Sequence, residues 1–143
     1  MRRRAERVRR RFRAPKARAR RLDWLQKRGK PVRAREVHLK SRPVGLPKAE
    51  NFDVVDVELK PPGAGEVLVR NLWMSVDPYM RGRMYDRPSY VPPFQLGEAL
   101  QGGAVGRIEK SNHPDFKVGD LVESMNGWRE AFVSTPAPLT RLP

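Results

Sequence analysis

Few side chains in this 143-residue chain belong to the types that form catalytic or metal-binding centres. Cysteine is absent, which excludes disulfide scaffolds, thiolate zinc ligands and thiol nucleophiles. The histidines are His38 and His113, neither lies in a nucleophile-elbow context, and no G-x-S-x-G motif occurs. We predict that His38 points outward from a strand and that His113 is a solvated turn residue. No metal site is predicted.

A glycine cluster at residues 102–106 raises the question of phosphate binding. It matches neither G-x-G-x-x-G nor G-x-x-x-x-G-K-[ST], and no crossover helix is predicted after it. We predict instead that these glycines let a strand bend sharply in a small barrel. The sequence therefore contains no recognisable dinucleotide site of its own.

The elements that would position any site are short strands. From residue 34 onward, apolar alternations are punctuated by Pro and Gly, which predicts strands at 37–39, 54–59, 66–76, 103–109, 121–123 and 130–134. The stretch 66–76 is largely apolar on both faces, so we expect it to be central. Regular short strands with turn signals are typical of a barrel or a small sandwich.

One short helix is predicted between these strands, over residues 79–84. Asp77 is expected to cap it by accepting a hydrogen bond from a free N–H group, and Pro78 suits the first helical position because it needs no donor there. Arg81 and Arg83 are expected to hold loop carbonyls or surface carboxylates rather than a phosphate.

The formal net charge of +14 comes entirely from the amino-terminal quarter. Residues 1–35 hold 17 Lys and Arg against two acidic residues, a net charge of +15, whereas residues 36–143 carry a net charge of −1. We predict that residues 1–33 form a disordered or loosely helical extension and that residues 34–143 form one domain. No segment is apolar enough to span a membrane or to act as a secretory signal, so a cytoplasmic location is expected.

Three interpretations of the basic extension remain open. It is a solvated segment without a specific role, a weak non-specific contact for nucleic acid through counterion release, or an organelle transit peptide. The transit-peptide interpretation is weakened by the absence of serine before Ser41. The alternative to an enzymatic function is a non-enzymatic binding module in which the basic extension contacts nucleic acid.

Four sequence blocks occur in order over the last three quarters of the chain: NLWMSVDPYMRGRM (71–84), LGEALQGGAVG (96–106), FKVGDLV (116–122) and GWRE (127–130). This set resembles the amino-terminal domain of the zinc-independent medium-chain dehydrogenase/reductases, and most of all the prostaglandin, alkenal and curcumin reductases. The match begins near Arg35 and runs to Pro143. Zinc-dependent relatives have a cysteine near residues 75–77 and a Gly-His-Glu sequence where this chain has Gly97 followed directly by Glu98. This chain has neither of these two zinc ligands.

The resemblance implies a mainly β, GroES-like, partly open barrel with a short helix. It implies an enzyme that reduces the C=C bond of α,β-unsaturated ketones or aldehydes with hydride from NADPH. Tyr79 matches the tyrosine that the family places in the substrate cleft, where a phenol O–H can donate to the carbonyl oxygen. Tyr90 and Trp128 are the other predicted substrate-binding residues.

Relatives enter their nucleotide-binding domain near the point where this chain ends. We therefore expect a truncated or split form that is catalytically incomplete alone, with NADPH bound by a separate nucleotide-binding domain. A further departure from the family pattern is Ala131, which stands where an aromatic residue often follows, with Phe132 next to it.

Overall fold

The structure is a computed structural model that describes residues 29–143. The predicted disorder or loose helicity of the basic extension falls mainly on residues 1–28, which lie outside the described residues. The first strand begins at Val32, two residues before the predicted domain boundary. The elements are β1 (Val32–Leu39), a 3-10 helix (Ala49–Asn51), β2 (Phe52–Leu59), β3 (Val67–Met74), α1 (Tyr79–Arg83), β4 (Ala104–Ser111), β5 (Leu121–Ser124), β6 (Ala131–Ser134) and β7 (Thr140–Arg141).

The strands form two antiparallel sheets. β1 pairs with β2, and the larger sheet has the order β6-β3-β4-β5-β7. This confirms the predicted mainly β architecture with a short helix and without a closed barrel. β3 has a neighbour on both sides, as its two apolar faces predicted. Across the described range, no helix has the length and hydropathy needed to cross a membrane.

The free edge of β1 connects the two sheets. It binds the segment leading into β6, because the N–H of Glu130 donates to the carbonyl of Arg35 at 2.9 Å and the N–H of Val37 donates to the carbonyl of Trp128 at 2.8 Å. Its second half binds the segment leading into β4, where the N–H of Leu100 donates to the carbonyl of Val37 at 3.0 Å. β1 therefore closes part of the barrel by pairing with both segments.

Buried apolar side chains form three clusters that follow the predicted strands. Two of them fill the larger sheet and its contact with β1, and the third lies under α1. The first cluster contains Val67, Val69, Ile108, Val122, Phe132 and Leu139, the second contains Ala34, Leu68 and Ala131, and the third contains Leu39, Met80, Met84, Phe94 and Leu100.

Gly106 illustrates what the glycine cluster does in this fold. It lies opposite Asn71, next to a register shift between β3 and β4. A Cβ atom on Gly106 would lie 2.5 Å from Val69 Cγ1 and 2.9 Å from the carbonyl oxygen of Arg70. Only glycine therefore allows the two strands to approach so closely at this irregularity.

Two local predictions were wrong. Asp77 does not cap α1 through its side chain, because Pro78 already has helical dihedral angles (φ −56°, ψ −33°) and the main-chain carbonyl of Asp77 accepts from the N–H of Met80. His38 does not point into solvent. Its side chain is only 16% exposed and its Nε2 lies 2.9 Å from Oε2 of Glu36, since the segment around Ala99 bridges to β1 there.

Candidate functional site

The connection from β3 to β4 positions Tyr79, because α1 has one buried face. Met80 and Met84, one helical turn apart, are buried against Leu39 and Leu100. Residues 79, 82 and 83 share the opposite face and lie toward solvent. Burial of Met80 thus sets the rotation of α1 and turns Tyr79 outward.

Tyr79 and Tyr90 line the same cleft, which has a volume of about 250 Å³. We call it the tyrosine cleft. The Tyr79 residue is 38% exposed, so part of its surface contacts protein and the rest faces the opening, whereas Tyr90 is 91% exposed at the rim. The residues that line the cleft are Pro78, Tyr79, Gly82, Arg83, Arg87, Ser89, Tyr90 and Val91.

Trp128, the third predicted substrate residue, lies in a different depression of about 400 Å³. This tryptophan groove runs between β1 and the end of β3, and it includes Val37, Val54, Leu72, Trp73, Met74 and Trp128. Trp128 packs against the cluster under α1 and adopts a left-handed backbone conformation (φ 60°). The structure therefore brings Tyr79 and Tyr90 together and places Trp128 apart from them.

Met80 and Trp128 meet at Gly102. A Cβ atom on Gly102 would lie 3.4 Å from Met80 Cε and 3.5 Å from Trp128 Nε1. That indole nitrogen is buried and has no hydrogen-bond partner within residues 29–143. Trp128 therefore supports the buried side of α1, whose exposed side carries Tyr79.

Charged residues surround the tryptophan groove in fixed pairs. Arg35 donates through Nε and Nη2 to Oε1 of Glu130 at 2.9 and 2.6 Å, and its main-chain N–H donates to Oε2 at 2.9 Å. The hydrogen bond from the Arg35 side chain lowers the pKa of Glu130, and the hydrogen bond from the Arg35 main-chain N–H lowers it further. Burial lowers the pKa of Arg129, and the nearby Glu36 carboxylate partly opposes that shift.

The arginines beside the tyrosine cleft are held differently. Arg81 donates through Nη2 to the carbonyls of Pro43 and Gly45, and Arg83 donates through Nε to the carbonyl of Pro92. The prediction that these two arginines hold loop carbonyls is therefore correct. Sequence reasoning named Tyr90 in the loop of residues 85–93 as a lining residue and did not single out Arg87 and Ser89 from the same loop.

The described residues do not by themselves provide a metal or dinucleotide site. No group of three or more His, Cys, Asp or Glu side chains in residues 29–143 could hold a metal ion. Every strand pair in the two sheets is antiparallel, and no βαβ unit occurs in this part of the chain.

Comparisons with known proteins match this part of the chain closely. Residues 35–142 match the family model described as the N-terminal domain of oxidoreductase. The chain is 46% identical over 104 residues to an NADPH-dependent curcumin reductase of Escherichia coli (strain K12), covering 73% of this chain and 30% of the relative. It is 39% identical over 109 residues to a 2-alkenal reductase (NADP(+)-dependent) of Nicotiana tabacum, covering 73% and 32%.

Solved structures agree with the sequence comparisons. CurA from Vibrio vulnificus in complex with NADPH is similar with a TM-score of 0.71 and 42% identity, covering 75% of this chain and 32% of that chain. The chain thus spans about three tenths of the length of the relatives that it matches.

Proposed function

Because the chain belongs to the amino-terminal domains of the zinc-independent medium-chain dehydrogenase/reductases, we propose that it forms the substrate side of an NADPH-dependent reductase of conjugated carbonyl compounds. The substrates are α,β-unsaturated ketones or aldehydes. The relatives named above supply the class of reaction, and the tyrosine cleft supplies the candidate site in this chain.

The single observation that carries this proposal is the placement of Tyr79. It lies in the Ser75–x–Asp77-Pro78-Tyr79 block that matches the family, and α1 presents it to a cleft instead of burying it. A purely structural tyrosine would lie in the cluster with Met80 and Phe94, and Tyr79 does not.

Tyr79 has a clear chemical role in such a reaction. Reduction of the conjugated C=C bond places transient negative charge on the carbonyl oxygen of the substrate. A phenol O–H donates a hydrogen bond to that oxygen, and the bond strengthens as the charge develops. The nucleotide supplies the hydride when it is bound, and Tyr79 orients and polarises the carbonyl.

The proposal requires a nucleotide-binding unit to face this domain, in the same polypeptide or a separate one. The end of β3 offers a surface for it, because Leu72, Trp73 and Met74 are 44%, 76% and 46% exposed. β6 pairs with Val67 to Arg70 only, so these three residues have a strand neighbour on one side within the described range. We infer that this apolar face packs against the nucleotide-binding unit.

A chimera tests the proposed function. Residues 34–143 replace the corresponding amino-terminal part of the E. coli curcumin reductase, and NADPH oxidation is followed with a set of enones and enals. The Tyr79→Phe substitution is expected to lower kcat about 100- to 1000-fold, because one hydrogen-bond donor to a developing oxyanion is lost.

The matched control is Tyr85→Phe, which keeps the ring that Arg81 and Arg87 contact and removes a hydroxyl group from a residue that does not line the tyrosine cleft. It should leave kcat within about twofold of the unsubstituted chimera. An active chimera in which both substitutions have equal effects would show that Tyr79 is a packing residue. A folded chimera that binds NADPH but reduces no enone or enal would contradict the proposed function itself.

A further inference from the structure

Half of the ten arginines in residues 29–143 form an ion pair with a carboxylate, and the arginines at the tyrosine cleft are not among them. Five arginines elsewhere form ion pairs with Asp or Glu: Arg33, Arg35, Arg70, Arg129 and Arg141. Arg81, Arg83 and Arg87 form none with the carboxylates of residues 29–143. The positive charge beside the cleft is therefore not neutralised by an ion pair from the described chain.

Two of these guanidinium groups lie at the cleft, and hydrogen bonds hold that of Arg83. Arg83 donates through Nη2 to Oε1 of Gln101 at 2.9 Å and stacks over Phe94 at 4.2 Å, while its Nε is bound to Pro92. Arg87 stacks over Tyr85 at 4.8 Å, and Arg81 lies 4.2 Å from the same ring. A cation–π contact occupies no N–H donor, so Arg87 keeps its N–H groups for a ligand, whereas Arg83 already uses Nε and Nη2 and keeps Nη1.

The remaining residues of the cleft favour an anion. Its lining includes no Asp or Glu, and Ser89 adds a hydroxyl donor next to Arg87. Arginine binds a carboxylate in a bidentate manner when its N–H groups are unoccupied. A volume of about 250 Å³ accommodates one end of a ligand, such as a carboxylate with its neighbouring carbons.

We propose that Arg87, with Arg83 and Ser89, forms a carboxylate subsite of the tyrosine cleft, so that the preferred substrates are α,β-unsaturated carbonyl compounds that carry a carboxylate. This inference rests on the proposed function, because it adds a second anchoring point to the cleft in which Tyr79 binds the carbonyl. The carboxylate fixes the ligand by its charge, and the carbonyl then lies toward Tyr79.

A residue-resolved titration of the full 143-residue chain tests this subsite. The ¹⁵N-labelled protein is titrated with 4-(3-oxobut-1-enyl)benzoate and, separately, with its methyl ester, at physiological salt. The acid is expected to bind about fivefold more tightly than the ester, as a partly exposed ion pair should contribute about 1 kcal/mol. It should shift the amide signals of Tyr79, Arg87 and Ser89.

Two variants separate the subsite from the general basic charge of the chain. Arg87→Gln should abolish the preference for the acid and leave binding of the ester unchanged. Arg107→Gln is the matched control, because Arg107 is an exposed arginine of β4 that does not line the cleft. It should retain the preference. Equal affinities for acid and ester, or a preference that survives Arg87→Gln, would overturn the subsite.

A separate experiment tests whether the anion bound at this subsite is a phosphate group of the nucleotide. If NADP⁺ but not NAD⁺ shifts the amides of Arg87 and Ser89 and displaces the acid, the subsite belongs to the nucleotide and the substrate assignment is wrong.

Failure of the subsite and failure of the proposed function give different results. If acid and ester shift Tyr79 equally and the chimera reduces both, the carboxylate subsite is refuted while the reductase proposal stands. The opposite result has two parts. 4-Butylbenzoate binds as tightly as the enone acid and loses that binding in Arg87→Gln, and the chimera reduces no enone. In that case the carboxylate subsite stands and the reductase proposal falls.

Discussion

Glu130 shows how a single side chain connects the two sheets. Its carboxylate accepts from the side chain and the main-chain N–H of Arg35, so it ties the start of β6 to β1. The main-chain N–H of Glu130 also donates to the carbonyl of Arg35 at 2.9 Å, so side-chain and main-chain bonds join the same two residues. The contribution is electrostatic and therefore depends on pH.

We predict that this bond makes stability fall in acid. The pKa of Glu130 is lowered in the folded state, mainly by the hydrogen bond from the Arg35 side chain, so its contribution is present above the unfolded pKa. That contribution is lost as the pH falls through the folded pKa. Urea unfolding between pH 3 and 7 should show a shallower acid limb for Glu130→Gln than for the unsubstituted chain.

The control for this experiment is Glu123→Gln, at an exposed position of β5 that forms no ion pair within residues 29–143. It should keep the slope of the unsubstituted chain. If both variants had the same acid limb as the unsubstituted chain, Glu130 would contribute no pH-dependent stability.

At the scale of elements, α1 is a five-residue helix without a side-chain cap. A helix this short is unstable on its own, so tertiary packing must hold it. Met80 and Met84 supply that packing, and the carbonyls of Met84 and Phe94 accept hydrogen bonds from Arg42. The orientation of Tyr79 therefore depends on side chains that do not touch the cleft.

We predict that Met80→Ala lowers the free energy of unfolding by about 2–5 kcal/mol, because Met80 is 2% exposed and its removal leaves a cavity under α1. Thermal or urea denaturation measures the loss. Met125→Ala is the matched control, since Met125 is 54% exposed, and it should change the free energy by no more than about 0.5 kcal/mol. Equal effects of the two substitutions would contradict the packing role of Met80.

At the scale of the whole molecule, the exposed apolar face at the end of β3 is the feature that a solitary domain does not explain. We infer that the nucleotide-binding unit of the proposed function covers this exposed apolar surface. Its position between the tryptophan groove and the depression along Ser75 and Ala104 suits a partner domain that covers both. The relatives are about three times as long as the matched region, so they contain a candidate partner.

We predict that Trp73→Ser weakens binding of the chain to the nucleotide-binding part of the E. coli relative by at least about tenfold, because an interface tryptophan often contributes about 2 kcal/mol or more. Calorimetric titration with that part as a separate polypeptide measures the affinity. Val118→Ser, at a 66% exposed position in the turn before β5, should leave the affinity unchanged. Equal affinities for all three chains would show that the face at Trp73 is not the interface.

The basic extension also belongs to this scale. Its predicted contact with nucleic acid rests on charge alone, and nothing in residues 29–143 favours it. The described residues carry the family match, the clefts and the apolar face, and the proposed function rests on these.

Much of the fold was predictable because alternate residues of a strand face the core, so alternating apolar residues indicate a half-buried strand. The six predicted strands overlap β1 to β6, and the double apolar face of residues 66–76 marked β3 as internal. The two-residue strand β7 was missed, because Thr140 and Arg141 are too few to show a period. His38 was misplaced because its cover comes from residue 99, about sixty residues away.

The sequence by itself determined the family, the mainly β architecture and the importance of the block around Tyr79, because these depend on residue types and on short-range order. Only the tertiary structure decided which side chains share a cleft. Burial of Met80 turned Tyr79 outward and brought it together with Tyr90 and Arg87, while the pairing of β1 with the segment before β6 placed Trp128 on the buried side of α1. Such groupings depend on contacts between distant segments, which local sequence patterns do not encode.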